Sequence, residues 1–384
     1  MHKVDRRSFI KAMGQSAVVL SAGFSQRDAF GQQGQGKATG AKKKKRIAVE
    51  EHIGFEEYNS YVSSLNAAKA VPGMPGGSPG GGMPGGGMPG GGGPTSTLPD
   101  GTKVSTDVLG DVTGIDTRLK VMDQTGIDMQ VLSLRNPGVE EFETSEAINW
   151  ARKINNKLAE VVGKYPERFS AFCTIPWQEP TAAIAELERA VKELGLRGIK
   201  MDGTVKGEYL DSKRFWPIFK KAEELGTPIF IHVEDTRDSM IKFYSEFSES
   251  SATTGVGRDF DVCYHAARLI YSGLFDECPK LNFILGHMGA GIHFYPGRMT
   301  GGRGMKKTAA DYIKQNFFAV TSGNFYLPSL MCCYYATGAD RILFGVDFPT
   351  ESNEEAVKLV ESAPISDGDK EKIFHLNAEE LFRV

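Results

Sequence analysis

Two spacings of apolar residues alternate along most of this chain. Short β-branched or aromatic runs, of the kind buried on both faces of a parallel sheet, are separated by stretches with helical periodicity. The first run is Arg46-Ile47-Ala48-Val49-Glu50-Glu51-His52, and it ends in two acids and a histidine. Further strands are predicted over 128–134, 169–175, 197–201, 228–232, 281–286, 317–321 and 341–345. Helices are predicted over 118–125, 144–165, 180–194, 215–225 and 260–275, around Leu330, and over 354–361 and 367–382. Within 144–165, Ile148, Ala151, Leu158 and Val162 fall on one stripe, and Gly195 and Gly226 close the helices that precede them. Eight strands, each followed by a helix, make the α/β pattern of a (β/α)8 TIM barrel over 46–384; the roughly 280 residues outside the tails and insertion suit its usual size. A doubly wound sheet is the structural alternative, and the placement of polar residues decides between them.

Three stretches break the pattern. Residues 1–31 carry Asp5-Arg6-Arg7-Ser8-Phe9-Ile10-Lys11, an apolar run from Ala12 to Phe24, and Ala29-Phe30-Gly31 as a small-residue cleavage site. This reads as a bacterial twin-arginine export signal, too short for a stable membrane span, and it predicts a periplasmic or exported protein. Residues 32–45 are polar, Gly-rich and then lysine-rich, a disordered linker. Residues 71–94 repeat Met-Pro-Gly-Gly-Gly and read as a low-complexity insertion in the loop after the first strand.

Charge and cysteines narrow the class. A formal net charge of -3 argues against a nucleic-acid partner. The five cysteines show no CxxC spacing, so they are read as packing thiols rather than a zinc ribbon or disulfide framework. The seven histidines are few enough to follow singly. His2 falls in the signal, His265 within a helix as a packing residue, and His375 near the C-terminus as a structural one.

His293 lies close to the site region and stays open, and the other three sit at strand ends. Glu50 and His52 end strand one, His232 ends strand five, His287 follows strand six and Asp347 follows strand eight. In a barrel all these ends meet at the catalytic face. Glu50 and His52 share a strand face by the two-residue repeat, while Glu51 points away as a structural carboxylate. Imidazoles and carboxylates converging with open positions suit one divalent ion, Zn(II) or Mn(II).

The segments Val49-Glu50-Glu51-His52, Gly126-Ile127-Asp128-Met129-Gln130-Val131-Leu132-Ser133-Leu134, Ser272-Gly273-Leu274-Phe275-Asp276, Ile284-Leu285-Gly286-His287-Met288-Gly289, Thr321-Ser322-Gly323-Asn324-Phe325 and Asp340-Arg341-Ile342-Leu343-Phe344 resemble a known family. It is the metal-dependent aromatic-acid decarboxylases of the amidohydrolase superfamily, with γ-resorcylate and 2,3-dihydroxybenzoate decarboxylases as the nearest kin. The resemblance implies a (β/α)8 barrel, one divalent metal, and non-oxidative loss of CO2 from an aromatic or unsaturated carboxylic acid. It implies Glu50, His52, His232 and Asp347 as metal ligands, His287 as the catalytic histidine, and Arg298 as a substrate-binding residue. Asp347 in its acid form is expected to protonate the ring carbon, tuned by His287. A homo-oligomer, dimer or tetramer, is also implied.

One turn departs from that pattern. Where the family reads His-x-Gly-Glu, this chain has His287-Met288-Gly289-Ala290, and His293 or Glu234 is the expected substitute for the missing carboxylate. Two other functions stay open at this point. A hydrolase of amides or lactones would use a metal-bound hydroxide, and a two-metal version would need a carbamylated lysine, for which Lys200 is placed unless it pairs with a carboxylate instead. A non-catalytic exported metal-binding barrel is the third reading.

Overall fold

The computed structural model describes residues 45–69, 95–97, 101–233, 256–300 and 305–384. The signal segment, the linker apart from Lys45, the insertion 71–94 and Glu234 lie outside the described residues. Among the described residues, no helix is long and apolar enough to cross a membrane.

The eight predicted strands are present as β1 (Ile47–Ile53), β2 (Met129–Leu134), β3 (Phe169–Cys173), β4 (Gly198–Asp202), β5 (Ile229–His232), β6 (Phe283–Leu285), β7 (Phe317–Val320) and β8 (Ile342–Leu343). They pair in parallel in chain order. The sheet closes on itself: Val49 N donates to Phe344 O at 2.8 Å, and His52 N donates to Phe348 O at 2.8 Å. Closure excludes the doubly wound alternative, because every strand end then faces one mouth.

Side-chain alternation fills the barrel. Ile47, Val49, Met129, Val131, Phe172, Phe230, Ile284, Phe318, Val320 and Leu343 form one buried inner cluster, with Ala378 and Phe382 of the last helix packed into it. The Phe382 ring meets Phe172 edge-on at 5.5 Å. The larger outer cluster joins the opposite strand faces to the surrounding helices.

The same alternation would send Glu50 and His52 outward, since Ile47 and Val49 are the inner residues. A bulge prevents this. The register runs Val49↔Val131 and then Glu51↔Leu132, so Glu50 is the extra, unpaired residue. Its φ is 80°, in the left-handed region that a bulged residue can use and most side chains avoid. The two-residue repeat therefore gives the shared face of Glu50 and His52 correctly, and the bulge makes that face the inner one. Glu51 is left as a strut: its carboxylate accepts from Val346 N at 3.0 Å, Phe348 N at 3.2 Å and Gln130 Nε2 at 3.3 Å.

Two helical expectations need correction. The helix of 260–275 begins earlier, as Val256–Tyr271, and stops at Gly273, whose φ of 81° breaks the spiral before a short turn Leu274–Glu277. The C-terminal helix is three pieces, Asp367–Glu371, a wide π turn Lys372–Leu376, and Asn377–Phe382.

β8 passes close to β1 beside the bulge. A Cβ on Gly345 would lie 2.0 Å from the Val49 carbonyl oxygen and 2.3 Å from Val320. Both obstacles belong to packed strands. Gly345→Ala is expected to cost about 1–3 kcal/mol of stability, as overpacking of a filled core does. A denaturant melt with an unchanged midpoint would refute it.

Candidate metal centre

The strand ends converge as expected. One atom each from Glu50, His52, His232 and Asp347 lies within 4.8 Å of the others. His52 Nε2 is 3.1 Å from Asp347 Oδ1, and His232 Nε2 is 3.7 Å from Glu50 Oε1. His287 Nε2 stands beside the group, 3.5 Å from Glu50 Oε1 and 3.7 Å from Asp347 Oδ2.

Each imidazole is held from behind. His232 Nδ1 is 3.0 Å from Asp202 Oδ1, and His52 Nδ1 is 3.1 Å from Ser133 Oγ. With Nδ1 engaged, Nε2 of each ring faces the centre, the arrangement that fixes histidine ligands in known metal sites. Asp202 is in turn clamped by Lys200, whose Nζ lies 2.6 Å from Oδ1 and also donates to Leu134 O at 2.8 Å and Asn136 Oδ1 at 2.7 Å. Lys200 thus pairs with a carboxylate, and this leaves the two-metal hydrolase without its bridging lysine.

The electrostatics are those of a site built for a cation. Burial pushes the Glu50 carboxyl up to about 8, against the pull of His287. Burial, with the Lys200 charge, pushes the His232 imidazole down to about 3, and burial lowers that of His52 as well. Both rings are therefore neutral at neutral pH, as ligands must be. Burial acts to raise the Asp347 carboxyl, but contacts with His287 and His52 outweigh it and hold it below the usual carboxylate range. Burial acts to lower the His287 imidazole, but Asp259, Asp347 and Glu50 outweigh it and push it well above its ordinary value. Glu50 Oε1, His52 Nε2 and His287 Nε2 are buried with no aligned hydrogen-bond partner. Buried polar atoms are rarely left so, and a bound divalent ion satisfies such a set. The residues fit one ion.

This charge pattern sets a pH dependence. Glu50 and His287 hold protons in the metal-free fold that the unfolded chain releases at ordinary values of 4.5 and 6.5. Their stabilisation is complete below those values and fades as pH rises through the folded ones. The lowered histidines act in the opposite sense, but only below 6.5. Metal uptake needs the ionised Glu50, so the rise in Tm on adding Mn(II) should be larger at pH 8 than at pH 6.5. A rise independent of pH would contradict it.

Backbone strain marks the same place. Glu50, His287 and Asp347 have φ of 80°, 49° and 77°. Such residues cost about 1–3 kcal/mol each and persist where the surroundings impose them. Here the Glu50 carbonyl accepts from Asp347 N at 3.1 Å, which locks the two strained residues together. Gly286 supplies the space, since a Cβ there would lie 2.5 Å from both Glu50 carboxylate oxygens.

The remaining sequence expectations divide. Arg298 is exposed on the turn Pro296–Arg298. His293 does not support His287. It is buried, with Nδ1 3.6 Å from Cys333 Sγ and its ring against Gly289. His265 is a buried packing residue whose Nε2 accepts from Leu210 N at 3.0 Å. Sequence reasoning missed Ser133, Asp202, Asp259 and Ser322, whose hydroxyl donates to Glu50. Asp202 ends β4 and could have been found by the strand-end rule. The serines carry no such signal.

The amidohydrolase family signature matches residues 96–384. A γ-resorcylate decarboxylase from Polaromonas sp. strain JS666 is 36% identical over 286 residues, covering 70% of this chain and 87% of that protein. The crystal structure of a dihydroxybenzoic acid decarboxylase from the same strain, with bound manganese and 2-nitroresorcinol, superposes with a TM-score of 0.72 at 31% identity, covering 88% of this chain and 97% of that one. A 5-carboxyvanillate decarboxylase from Sphingomonas paucimobilis superposes with a TM-score of 0.73 at 26% identity, covering 89% and 99%.

Proposed function

The chain belongs to the amidohydrolase family, and on that premise we propose that it is a metal-dependent, non-oxidative decarboxylase of a hydroxylated aromatic acid. The observation that carries this reading is the convergence of Glu50, His52, His232 and Asp347 with His287 beside them. Similarity to proteins named as decarboxylases favours the lyase over the hydrolase. So does Lys200, which is engaged with Asp202.

Glu50, His52, His232 and Asp347 would hold the ion. A divalent ion held there would supply Lewis acidity toward an oxygen-bearing anionic substrate. Mn(II) and Zn(II) both suit mixed imidazole and carboxylate donors. The chain's own groups manage the proton. At rest it sits on His287, held between Asp259 and the anionic Asp347. Asp347 takes its acid form only as His287 passes the proton on, which refines the sequence expectation. The proton then adds to the ring carbon bearing the carboxylate. The bond from that carbon to the carboxylate breaks, its electron pair returns to the ring, and CO2 leaves.

A panel of hydroxybenzoates, lactones and amides, assayed with Mn(II) and with Zn(II), tests the reading. CO2 release from a hydroxybenzoate is expected. Ring opening of a lactone or cleavage of an amide, without CO2 release, would overturn it.

Two accompanying proposals rest on other features. The twin arginine Arg6-Arg7 supports export, and replacing both with lysine should retain the protein in the cytoplasm. The exposed aromatic side chains Phe294, Tyr326 and Tyr335 support self-association into a homo-oligomer. Light scattering of Phe294→Asp against wild type tests that.

A further inference from the structure

His287 rides on an unusual support. Its turn, Gly286–Gly289 continuing to Gly291, has left-handed φ at His287, Met288, Gly289, Ala290 and Gly291, of 49°, 57°, 67°, 51° and 77°. This coil aims the imidazole at Glu50 and Asp347. It carries no polar side chain apart from His287 itself. Neither Met288 nor Ala290 can fix the ring's tautomer or orientation, and the glycines have nothing to offer.

The carboxylate comes from elsewhere. Asp259, near the start of the helix Val256–Tyr271, places Oδ1 2.6 Å from His287 Nδ1. The contact is short, as hydrogen bonds between charged partners are. It commits Nδ1, so Nε2 is the atom presented to the site. On its other side the ring lies against Gly323, where a Cβ would be 2.7 Å from His287 Cδ2. The His287 backbone is tied separately, its N donating to Ser322 Oγ at 3.3 Å.

We propose that Asp259 is the positioning residue of His287, supplying from a neighbouring helix the carboxylate that the His287 turn lacks. The inference rests on the decarboxylase reading for its catalytic consequence, but not for its geometry. The pair links the helix after β5 to the histidine after β6, so the proton-handling group is aligned by two separate elements. Ala290 lines the same cavity of about 410 Å³ as Asp259 and His287. A longer acidic side chain at 290 therefore has room to take over the contact from the turn itself.

The test uses the full chain and the variants Asp259→Asn, Asp259→Ala and Asp259→Ala/Ala290→Glu. Manganese content, kcat and KM on the best substrate of the panel are measured on loaded protein. Imidazole spectra of ¹⁵N-histidine protein are recorded without metal. For both single variants, kcat is expected to fall about 10–100-fold, the usual cost of losing an outer partner of a site histidine. KM and metal content should hold, and the downfield Nδ1 proton of His287 should vanish. The double variant should recover both kcat and that proton. Unchanged kcat and an unchanged resonance in Asp259→Asn would overturn the proposal, as would loss of metal in parallel with kcat. A wild type that releases no CO2 from any substrate would count against the decarboxylase reading alone, since the resonance still reports on the Asp259 contact.

Discussion

His232→Ala is expected to empty the centre of metal and to lower turnover by more than the roughly 10–100-fold that losing an outer partner costs. His232 is buried, and it is one of the two imidazoles in the four-residue group found among the described residues. Removing it leaves two carboxylates and one imidazole, with Glu50 still fully buried. The fold should survive. Asp202 keeps its 2.6 Å contact with Lys200, so no isolated charge is left behind in the core. The His52 ring loses a neighbour at 4.6 Å, a packing loss of about 1–2 kcal/mol by the usual range for single substitutions. Elemental analysis and a thermal melt on one preparation separate these effects. Full metal content in His232→Ala would remove it from the ligand set.

Asp347→Asn carries the second large effect, and it separates holding metal from moving a proton. The carboxylate lies 3.1 Å from His52 Nε2 and 3.7 Å from His287 Nε2. These contacts keep it anionic despite burial, ready to take the proton from His287 and hand it on. An amide of the same shape has an oxygen that can still face a cation, but it cannot accept and release that proton. With excess Mn(II) the site should refill, yet kcat should stay down by about 10²–10⁴-fold, the usual contribution of a positioned acid or base. Activity that returns with added metal would reduce Asp347 to a ligand.

Much of this centre was legible from strand ends. A β-branched run closing on Glu50-Glu51-His52, and apolar runs closing on His232, Gly286-His287 and Gly345-Val346-Asp347, placed five side chains at one mouth once the barrel was counted. Which way the first pair points was not legible. Alternation from Ile47 and Val49 aims Glu51 inward, and only the bulge at Glu50 reverses it. A bulge depends on the closing bonds from β1 to the segment after β8, which no local spacing encodes. The Asp259 contact was invisible for a similar reason. It joins residues 28 apart on separate elements, and the missing carboxylate at Ala290 pointed to His293 or Glu234 instead. Asp202 ends β4 as His232 ends β5, so the strand-end rule reaches both.

One titration tests the single-metal decarboxylase most directly. Protein stripped of metal is mixed with increasing Mn(II), and release of labelled CO2 from carboxyl-labelled 2,6-dihydroxybenzoate or the best panel substrate is followed. A centre made of Glu50, His52, His232 and Asp347 predicts no release without metal and a rate that saturates at about one equivalent per chain. Release that is independent of metal, or that rises only with a second equivalent, would contradict it.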